Sequence, residues 1–195
     1  SGRLEMLKEE KLNSKIKETI DLIESQLNRI RKLVDRFLKF ARKSTPSLEA
    51  SSIDEIIESV LPMVRYNKSL SDKVKIEKYF EKNMPKIMAD VDQIQEVFLN
   101  IIINAYHAMP DGGVIKIVTS NFQNLYAQIQ IIDSGVGIPE SNFKNIFMPF
   151  FSTKNQGTGL GLSICHNIIK NHNGSIELES QVNRGTTFTI KLPFI

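Results

Sequence analysis

Apolar residues recur near the start of the chain with the spacing of a long helical seam. No glycine or proline lies between Lys15 and Lys43. The apolar positions follow one another at alternating intervals of four and three: Ile16, Ile20, Ile23, Leu27, Ile30, Val34, Phe37 and Ala41. These are the intervals of the core positions of coiled coils and helical bundles. The pattern predicts a helix over residues 14–43, and its strict register favours association between chains over packing on its own domain.

A proline interrupts this helical pattern and indicates a domain boundary. In Ser44-Thr45-Pro46-Ser47, Pro46 cannot continue the helix and disfavours helical backbone at Thr45. We therefore expect a first region over residues 1–43, a linker over 44–52 and a second domain over 53–195.

Helical spacing and strand alternation are mixed in the second domain. Helical spacing predicts one helix that starts near Ile53 and is kinked or ended by Pro62, and two more over 93–109 and 162–171. Short apolar or alternating runs predict strands over residues 74–76, 87–88, 114–119, 126–132, 175–179 and 186–192. Such a mixture predicts an α+β fold, a two-layer sandwich with helices on one face of a mostly antiparallel sheet.

Composition and charge exclude several classes of protein. The 195 residues are 41% hydrophobic, and no apolar run reaches the roughly 18–20 residues of a membrane span, so we expect no membrane contact by this chain. The single Cys165 excludes an internal disulfide and fits a reducing compartment. The first 45 residues carry 12 basic and 7 acidic side chains, but their aromatics, Phe37 and Phe40, lie among apolar residues. This arrangement argues against nucleic-acid binding.

Four short motifs in the second domain suggest a nucleotide site without a P-loop. In chain order they are NIIINA from Asn100, DSGVG from Asp133, FMPFF from Phe147 and GTGLGL from Gly157. In the last motif, glycines allow backbone N–H groups to point at phosphate, and the start of the following helix adds partial positive charge. A glycine-rich linker is the alternative, which the leucines between the glycines disfavour.

Two asparagines lie four residues apart on the same predicted helix face. An amide oxygen is a suitable ligand for Mg²⁺, so Asn100 and Asn104 are candidate metal or phosphate contacts. An amide cannot accept a proton at neutral pH, so neither residue can activate a water. The alternative is a pair of ordinary surface amides.

Asp133 follows a predicted strand and precedes two glycines. A carboxylate at a strand end can accept a hydrogen bond from the exocyclic amine of adenine, and Gly135 and Gly137 would let the base approach the backbone. An ordinary turn is the alternative for this motif considered alone.

Together and in this order, the motifs resemble the N, G1, F and G2 boxes of the ATP-binding domain of two-component sensor histidine kinases. That domain belongs to the same ATPase group as DNA gyrase and MutL. The resemblance covers roughly residues 53–195, with a weaker match back to about residue 12. It implies an ATP- and Mg²⁺-dependent protein histidine kinase that acts with a response regulator receiver domain. It also implies a homodimer of the full-length protein through the helix over 14–43.

The resemblance also implies roles for individual residues. Asn104 would ligate Mg²⁺. Asn100, where hydrolytic relatives carry a glutamate base, and Lys154, in a lid similar to that of nitrogen-regulation kinases, would be the catalytic residues. Thr186 would support the adenine through a water. With these four, the expected nucleotide-binding residues are His107, Asp133, Gly135, Gly137, Ile138, Thr158, Gly159, Leu160, Gly161 and Leu162.

The histidines depart from the family pattern. His107, His166 and His172 all lack the H-E-[IV]-x-N-P surroundings of a phosphoacceptor, and we expect the last two at the surface. The segment over 16–42 resembles the second helix of the dimerisation and phosphotransfer hairpin, without the first helix that bears the acceptor. Ser1-Gly2 is typical of a cloning remnant. We expect a cytoplasmic piece of a longer protein that cannot phosphorylate itself, and a membrane anchor on the parent stays open.

Two other functions remain open from the sequence. One is a serine kinase of the anti-sigma type on the same fold, although such proteins usually lack a long seam helix. The other is a non-catalytic dimerisation and docking module whose nucleotide site acts only as a switch.

Overall fold

The computed structural model describes residues 14–41, 45–65, 73–153 and 157–195. They fall into two units, Ser1–Lys43 and Ser44–Ile195. In the first unit, helix α1 spans Ser14–Ala41, while the last two residues of the helix predicted over 14–43 lie outside the described residues. Of the seam side chains, Ile20 is buried. Five others are 46% to 56% exposed, namely Ile16, Ile23, Leu27, Ile30 and Val34.

The second unit alternates short helices and strands in the order that the periodicities predict. Its helices are α2 (Ile53–Arg65), α3 (Val91–Ala108) and α4 (Gly161–Asn171), with one 3₁₀ turn over Glu140–Asn142. Its strands are β1 (Glu49–Ser51), β2 (Val74–Tyr79), β3 (Ile87–Ala89), β4 (Gly113–Phe122), β5 (Tyr126–Asp133), β6 (Ser175–Gln181) and β7 (Gly185–Pro193).

Five of these strands form one sheet in the order β2-β4-β5-β7-β6. Strands β2 and β4 are parallel and the other pairs are antiparallel, while β1 and β3 form a separate antiparallel pair. Helix α3 packs against α2, α4, β5 and β7, and α4 packs against β6. The prediction of an α+β two-layer sandwich with a mostly antiparallel sheet is confirmed.

Side-chain alternation creates a buried and an exposed face of this sheet. The side chains of one face are buried, among them Ile115, Ile117, Ile129, Ile131, Phe188 and Ile190. Lys116, Glu177 and Glu179 belong to the opposite face and are exposed. Because successive strand residues point to opposite faces, this alternation places the apolar half of each strand in the core.

Pro62 does not end the second helix. Helix α2 continues through it to Arg65, and Leu61 and Val64 of its last turns are buried. Pro62 itself is exposed, so the backbone carbonyl that loses a helical donor can be hydrated. Core packing therefore outweighs the local cost of the proline.

Candidate functional site

One face of α3 connects the two halves of the candidate site. Asn100, Asn104 and Ala108 recur every four residues and so lie on one face of the helix, about 6 Å apart along its axis. At the Asn100 end, a Cβ on Gly161 would lie 3.3 Å from Asn100 Oδ1. At the Ala108 end, a Cβ on Gly135 would lie 2.7 Å from the Ala108 carbonyl oxygen. Asn104 therefore lies between the glycine-rich turn and the Asp133 loop.

Backbone N–H groups hold the carboxylate of Asp133 in place. Asp133 is 6% exposed, and its Oδ1 accepts hydrogen bonds from Gly135 N at 2.9 Å and Thr186 N at 3.2 Å. The β5–β7 register places Asp133 directly opposite Thr186. Both N–H groups stabilise the negative charge of the carboxylate, so a buried acceptor is fixed at this end of the sheet.

The loop after Asp133 packs closely on strand β6. Gly137 has a φ of +71°, and a Cβ there would lie 2.7 Å from the carbonyl carbon of Gln181. The next residue, Ile138, donates its backbone N–H to Ser180 Oγ at 2.8 Å. Only glycine combines this backbone conformation with so close an approach, so the second glycine of the motif is required by packing.

Ser180 is a residue of this site that the sequence did not reveal. Its hydroxyl donates to the carbonyl oxygen of Gly185 at 2.9 Å and lies 3.0 Å from Thr186 Oγ1. A lone serine in an alternating strand carries no functional signal. Only the register, which pairs Ser180 with Thr186 across β6 and β7, could have identified it.

The glycine-rich turn is anchored in the core. Leu160 is fully buried, and its carbonyl oxygen accepts from Ser163 Oγ at 2.9 Å. The Leu160 N–H donates a hydrogen bond to the hydroxyl of Thr158 at 3.4 Å. Gly159, with a φ of +67°, packs so closely that a Cβ would lie 2.6 Å from the carbonyl oxygen of Phe150. The turn is thus a packed entry to α4, at whose N-terminus Gly161 and half-buried Leu162 lie, rather than a loose linker.

Asn100 also contacts a buried thiol on the facing helix. Burial raises the pKa of the Cys165 thiol far above its ordinary value, the carboxylate of Glu96 adds to that rise, and hydrogen bonding, including one from the Asn100 side chain, opposes it. The Cys165 sulfur lies 3.8 Å from the Val97 carbonyl oxygen. The thiol is therefore unreactive, and Asn100 lies at the contact between α3 and α4.

The remaining expected site residues have different outcomes. His107 is exposed on α3, three residues beyond Asn104, and Lys154 lies outside the described residues. His166 is exposed as expected. The expectation that His172 lies at the surface is wrong, because it is 3% exposed. Its Nε2 accepts from Asp90 N at 3.0 Å and its Nδ1 lies 2.8 Å from the Ile168 carbonyl oxygen, so two backbone groups hold the ring inside.

A cavity of about 290 Å³ opens at the Asp133 end of the sheet. Asp133, Ser180 and Thr186 contribute to its lining, but so do Glu179 and Thr187 of the exposed face. The cavity is therefore lined by residues of both faces of the sheet. For this reason the hydrogen bonds of Asp133 locate the candidate base site better than the shape of the cavity does.

The described residues contain neither a cluster of metal-binding side chains nor a membrane-spanning helix. In the described ranges, no three His, Cys, Asp or Glu side chains are grouped so that they could hold a metal ion. No helix in that part of the chain is long and apolar enough to cross a membrane. A single amide on Asn104 remains compatible with Mg²⁺, which takes few protein ligands and completes its shell with phosphates and water.

Family models match both parts of the chain. Residues 89–195 match the histidine kinase-, DNA gyrase B- and HSP90-like ATPase family. Residues 1–46 match the His Kinase A (phospho-acceptor) domain, although the three histidines of the chain, at 107, 166 and 172, all lie beyond that segment.

Curated relatives are similar over most of the chain. Sporulation kinase C of Bacillus subtilis is 37% identical over 194 residues, which are 99% of this chain and 44% of that protein. The sensor histidine kinase ZraS of Escherichia coli K12 is 34% identical over 168 residues, 86% of this chain and 36% of that protein. The chain thus spans less than half the length of these relatives.

Solved structures agree in fold. The catalytic domain of histidine kinase ThkA is 32% identical with a TM-score of 0.68, covering 76% of this chain and 96% of that one. ThkA in complex with response regulator protein TrrA is 26% identical with a TM-score of 0.75, covering 100% of this chain and 56% of that one.

Proposed function

Because this chain belongs to the two-component sensor histidine kinases, whose ATPase domain it carries, we propose that it is the ATP-binding catalytic region of a protein histidine kinase. In this role it transfers the γ-phosphoryl group of ATP to a histidine outside this chain, for relay to an aspartate of a response regulator. The observation that carries the proposal is the face of α3 that joins the Asp133 loop to the glycine-rich turn.

The base end of the site suits adenine. The Asp133 carboxylate accepts from the exocyclic amine, and Thr186, directly opposite on β7, supports the same base. Gly135 and Gly137 hold the loop close to α3 and β6, so Ile138 and its neighbours can border the base. Support comes from the two N–H groups that hold the buried carboxylate of Asp133 in a fixed position at the end of β5.

The other end suits a phosphate chain. The residues from Thr158 to Leu162 enter α4, whose N-terminus carries roughly half a positive charge and backbone N–H groups without helical partners. The absence of a side chain on Gly159 lets the turn pack against the backbone of Phe150, and the buried Leu160 keeps the turn in place. Lys154 adds the compact positive charge of a lysine side chain, and His107 lies on the same helix as Asn104 and can approach the phosphates.

We assign Mg²⁺ to Asn104. A bound Mg²⁺ would neutralise charge on the transferring phosphate, and its remaining ligands would be phosphate oxygens and water. Asn104 suits this role because it lies one helical turn from each end of the site.

Asn100 favours transfer over hydrolysis. Its side chain lies beside Gly161 at the phosphate end, where a glutamate could activate a water. An amide cannot take the proton of that water, so bound ATP is hydrolysed slowly and remains available for transfer to a phosphoryl acceptor.

Two partners complete the proposal. The likeness to a ThkA structure that contains a response regulator supports a receiver domain as the phosphoryl acceptor downstream. The half-exposed seam of α1 supports a homodimer of the full-length protein through this helix, with residues 1–43, 44–52 and 53–195 as the separate regions. Use of ATP and of a receiver domain would place these regions in the cytoplasm.

Mixing the chain with γ-labelled Mg-ATP and a helical hairpin domain that carries an acceptor histidine tests the proposal. We expect acid-labile label on the hairpin and none on the chain itself. Acid-stable phosphoserine on a partner would indicate a serine kinase instead, and nucleotide binding without transfer would indicate a non-catalytic module. Stable label on His107, His166 or His172 would contradict the assignment of the acceptor to another segment.

A further inference from the structure

The hydroxyl of Ser180 is fully committed to three neighbours. It donates to the Gly185 carbonyl oxygen at 2.9 Å, accepts from the Ile138 N–H at 2.8 Å and lies 3.0 Å from Thr186 Oγ1. A serine hydroxyl has one hydrogen and two acceptor lone pairs. A carbonyl oxygen cannot donate, so the single hydroxyl hydrogen of Ser180 is used in the hydrogen bond to the Gly185 carbonyl oxygen.

This commitment decides the direction of the bond to Thr186. Since Ser180 has no second hydrogen, the Thr186 hydroxyl must donate to Ser180 Oγ. The Thr186 oxygen then offers only lone pairs to anything else that it contacts. Thr186 lies directly opposite Asp133, whose carboxylate also only accepts.

We propose that Ser180 is a positioning residue that sets the base selectivity of the nucleotide site. By accepting the hydrogen bond of the Thr186 hydroxyl, Ser180 leaves two acceptors, from Asp133 and Thr186, at the edge of the base. A purine with an amine at C6 supplies two N–H donors there. A purine with a carbonyl at C6 places a third acceptor there and has only one donor on that edge, the N1–H, so one of the two protein acceptors is left without a hydrogen. The inference rests on the proposed nucleotide site and adds how that site distinguishes adenine from 6-oxopurines.

ADP and IDP test the inference, because they differ at C6 and at the proton on N1. Titration calorimetry of the whole chain gives the ratio of the two affinities for the wild type, Ser180→Ala, Ser180→Thr and Thr186→Val. Ser59→Ala is the matched control, since the Ser59 hydroxyl also makes two hydrogen bonds, to Ile56 and Gln95, away from the site.

Wild type should prefer ADP. In Ser180→Ala the Thr186 hydroxyl can turn and donate to the C6 carbonyl, so the ADP-to-IDP preference should fall about tenfold, the size expected for one buried acceptor that regains a donor. Ser180→Thr, which keeps a hydroxyl, and Ser59→Ala should keep the wild-type ratio.

The double variant separates positioning from general damage. If Ser180 acts through Thr186, adding Ser180→Ala to Thr186→Val should leave the ratio unchanged, whereas lost packing would weaken both nucleotides alike in either background. An unchanged ratio in Ser180→Ala, or an equal fall in the Thr186→Val background, would overturn the inference. Wild type that binds neither nucleotide would instead overturn the proposed function.

Discussion

Alanine at Gly159 should destabilise the second unit far more than alanine at Gly161, two residues further along the same turn. Gly159 has a φ of +67°, and its added Cβ would lie 2.6 Å from the carbonyl oxygen of Phe150 and 2.7 Å from its Cα. Gly161 begins α4, and its nearest neighbour is the side-chain oxygen of Asn100 at 3.3 Å. The first contact is with backbone, and the second is with a side chain that can move.

These contacts set the expected magnitudes. An L-residue in the left-handed region costs about 1–2 kcal/mol. The Phe150 backbone must also move by about 1 Å to reach ordinary contact, and overpacking of this kind typically costs about 1–3 kcal/mol. We therefore expect Gly159→Ala to lower the free energy of unfolding by about 2–5 kcal/mol. At Gly161, the helical preference of alanine, about 0.5–1 kcal/mol, offsets the mild crowding of Asn100.

Urea unfolding followed by circular dichroism measures both changes. Gly161→Ala should lie within about 1 kcal/mol of the wild type, in either direction. Equal destabilisation by the two variants, or a larger loss at Gly161, would refute the packing of the glycine-rich turn on Phe150.

Two further predictions concern stability. His172→Ala should cost about 1–3 kcal/mol because it removes a buried imidazole and leaves the part-buried N–H of Asp90 without its acceptor. His166→Ala, on the exposed face of α4, should cost under about 1 kcal/mol, and equal losses in urea unfolding would contradict the hydrogen bond between His172 and Asp90. Burial raises the pKa of Asp54 from 3.8, and a hydrogen bond from Thr119 opposes that rise only in part. The folded state then holds the Asp54 proton more tightly than the unfolded state, so the free energy of unfolding falls as pH rises from 3.8 through the folded pKa. Asp54→Asn removes this titration, so its free energy of unfolding should increase relative to that of the wild type over the same pH range. A difference between the two proteins that does not change with pH would contradict this.

Sequence patterns predicted the helices and most of the strands, because side-chain spacing along a short segment determines which face of that segment is buried. The four-residue spacing of Asn100 and Asn104 placed both on one helix face. Helix α3 begins at Val91, two residues before the expected start, because the side chain of Asp90 accepts from Gln93 N and caps the helix there. Strand alternation likewise located β4 to β7, since one face of each is buried. Strand β1 has only three residues, too few for a period to be visible.

Long-range pairings were not predictable in the same way. Ser180 gains its role from the register of β6 against β7, and the buried His172 accepts from a backbone N–H 82 residues away. Neither pairing leaves a mark on neighbouring residues in the sequence. The roles of Asn100, Asn104 and Lys154 stay predictions, and Lys154 also lies outside the described residues.

Titration of the chain and its Asp133→Asn variant with Mg-ATP tests most directly the claim that the Asp133 end of the sheet holds the adenine of ATP. Asparagine keeps an oxygen that can accept from Gly135 and Thr186, so the fold should persist. It loses the charged acceptor for the adenine amine, which typically contributes about 1.5–3 kcal/mol, so the affinity should fall roughly 10- to 150-fold. A folded Asp133→Asn variant that binds Mg-ATP as tightly as the wild type would contradict the account.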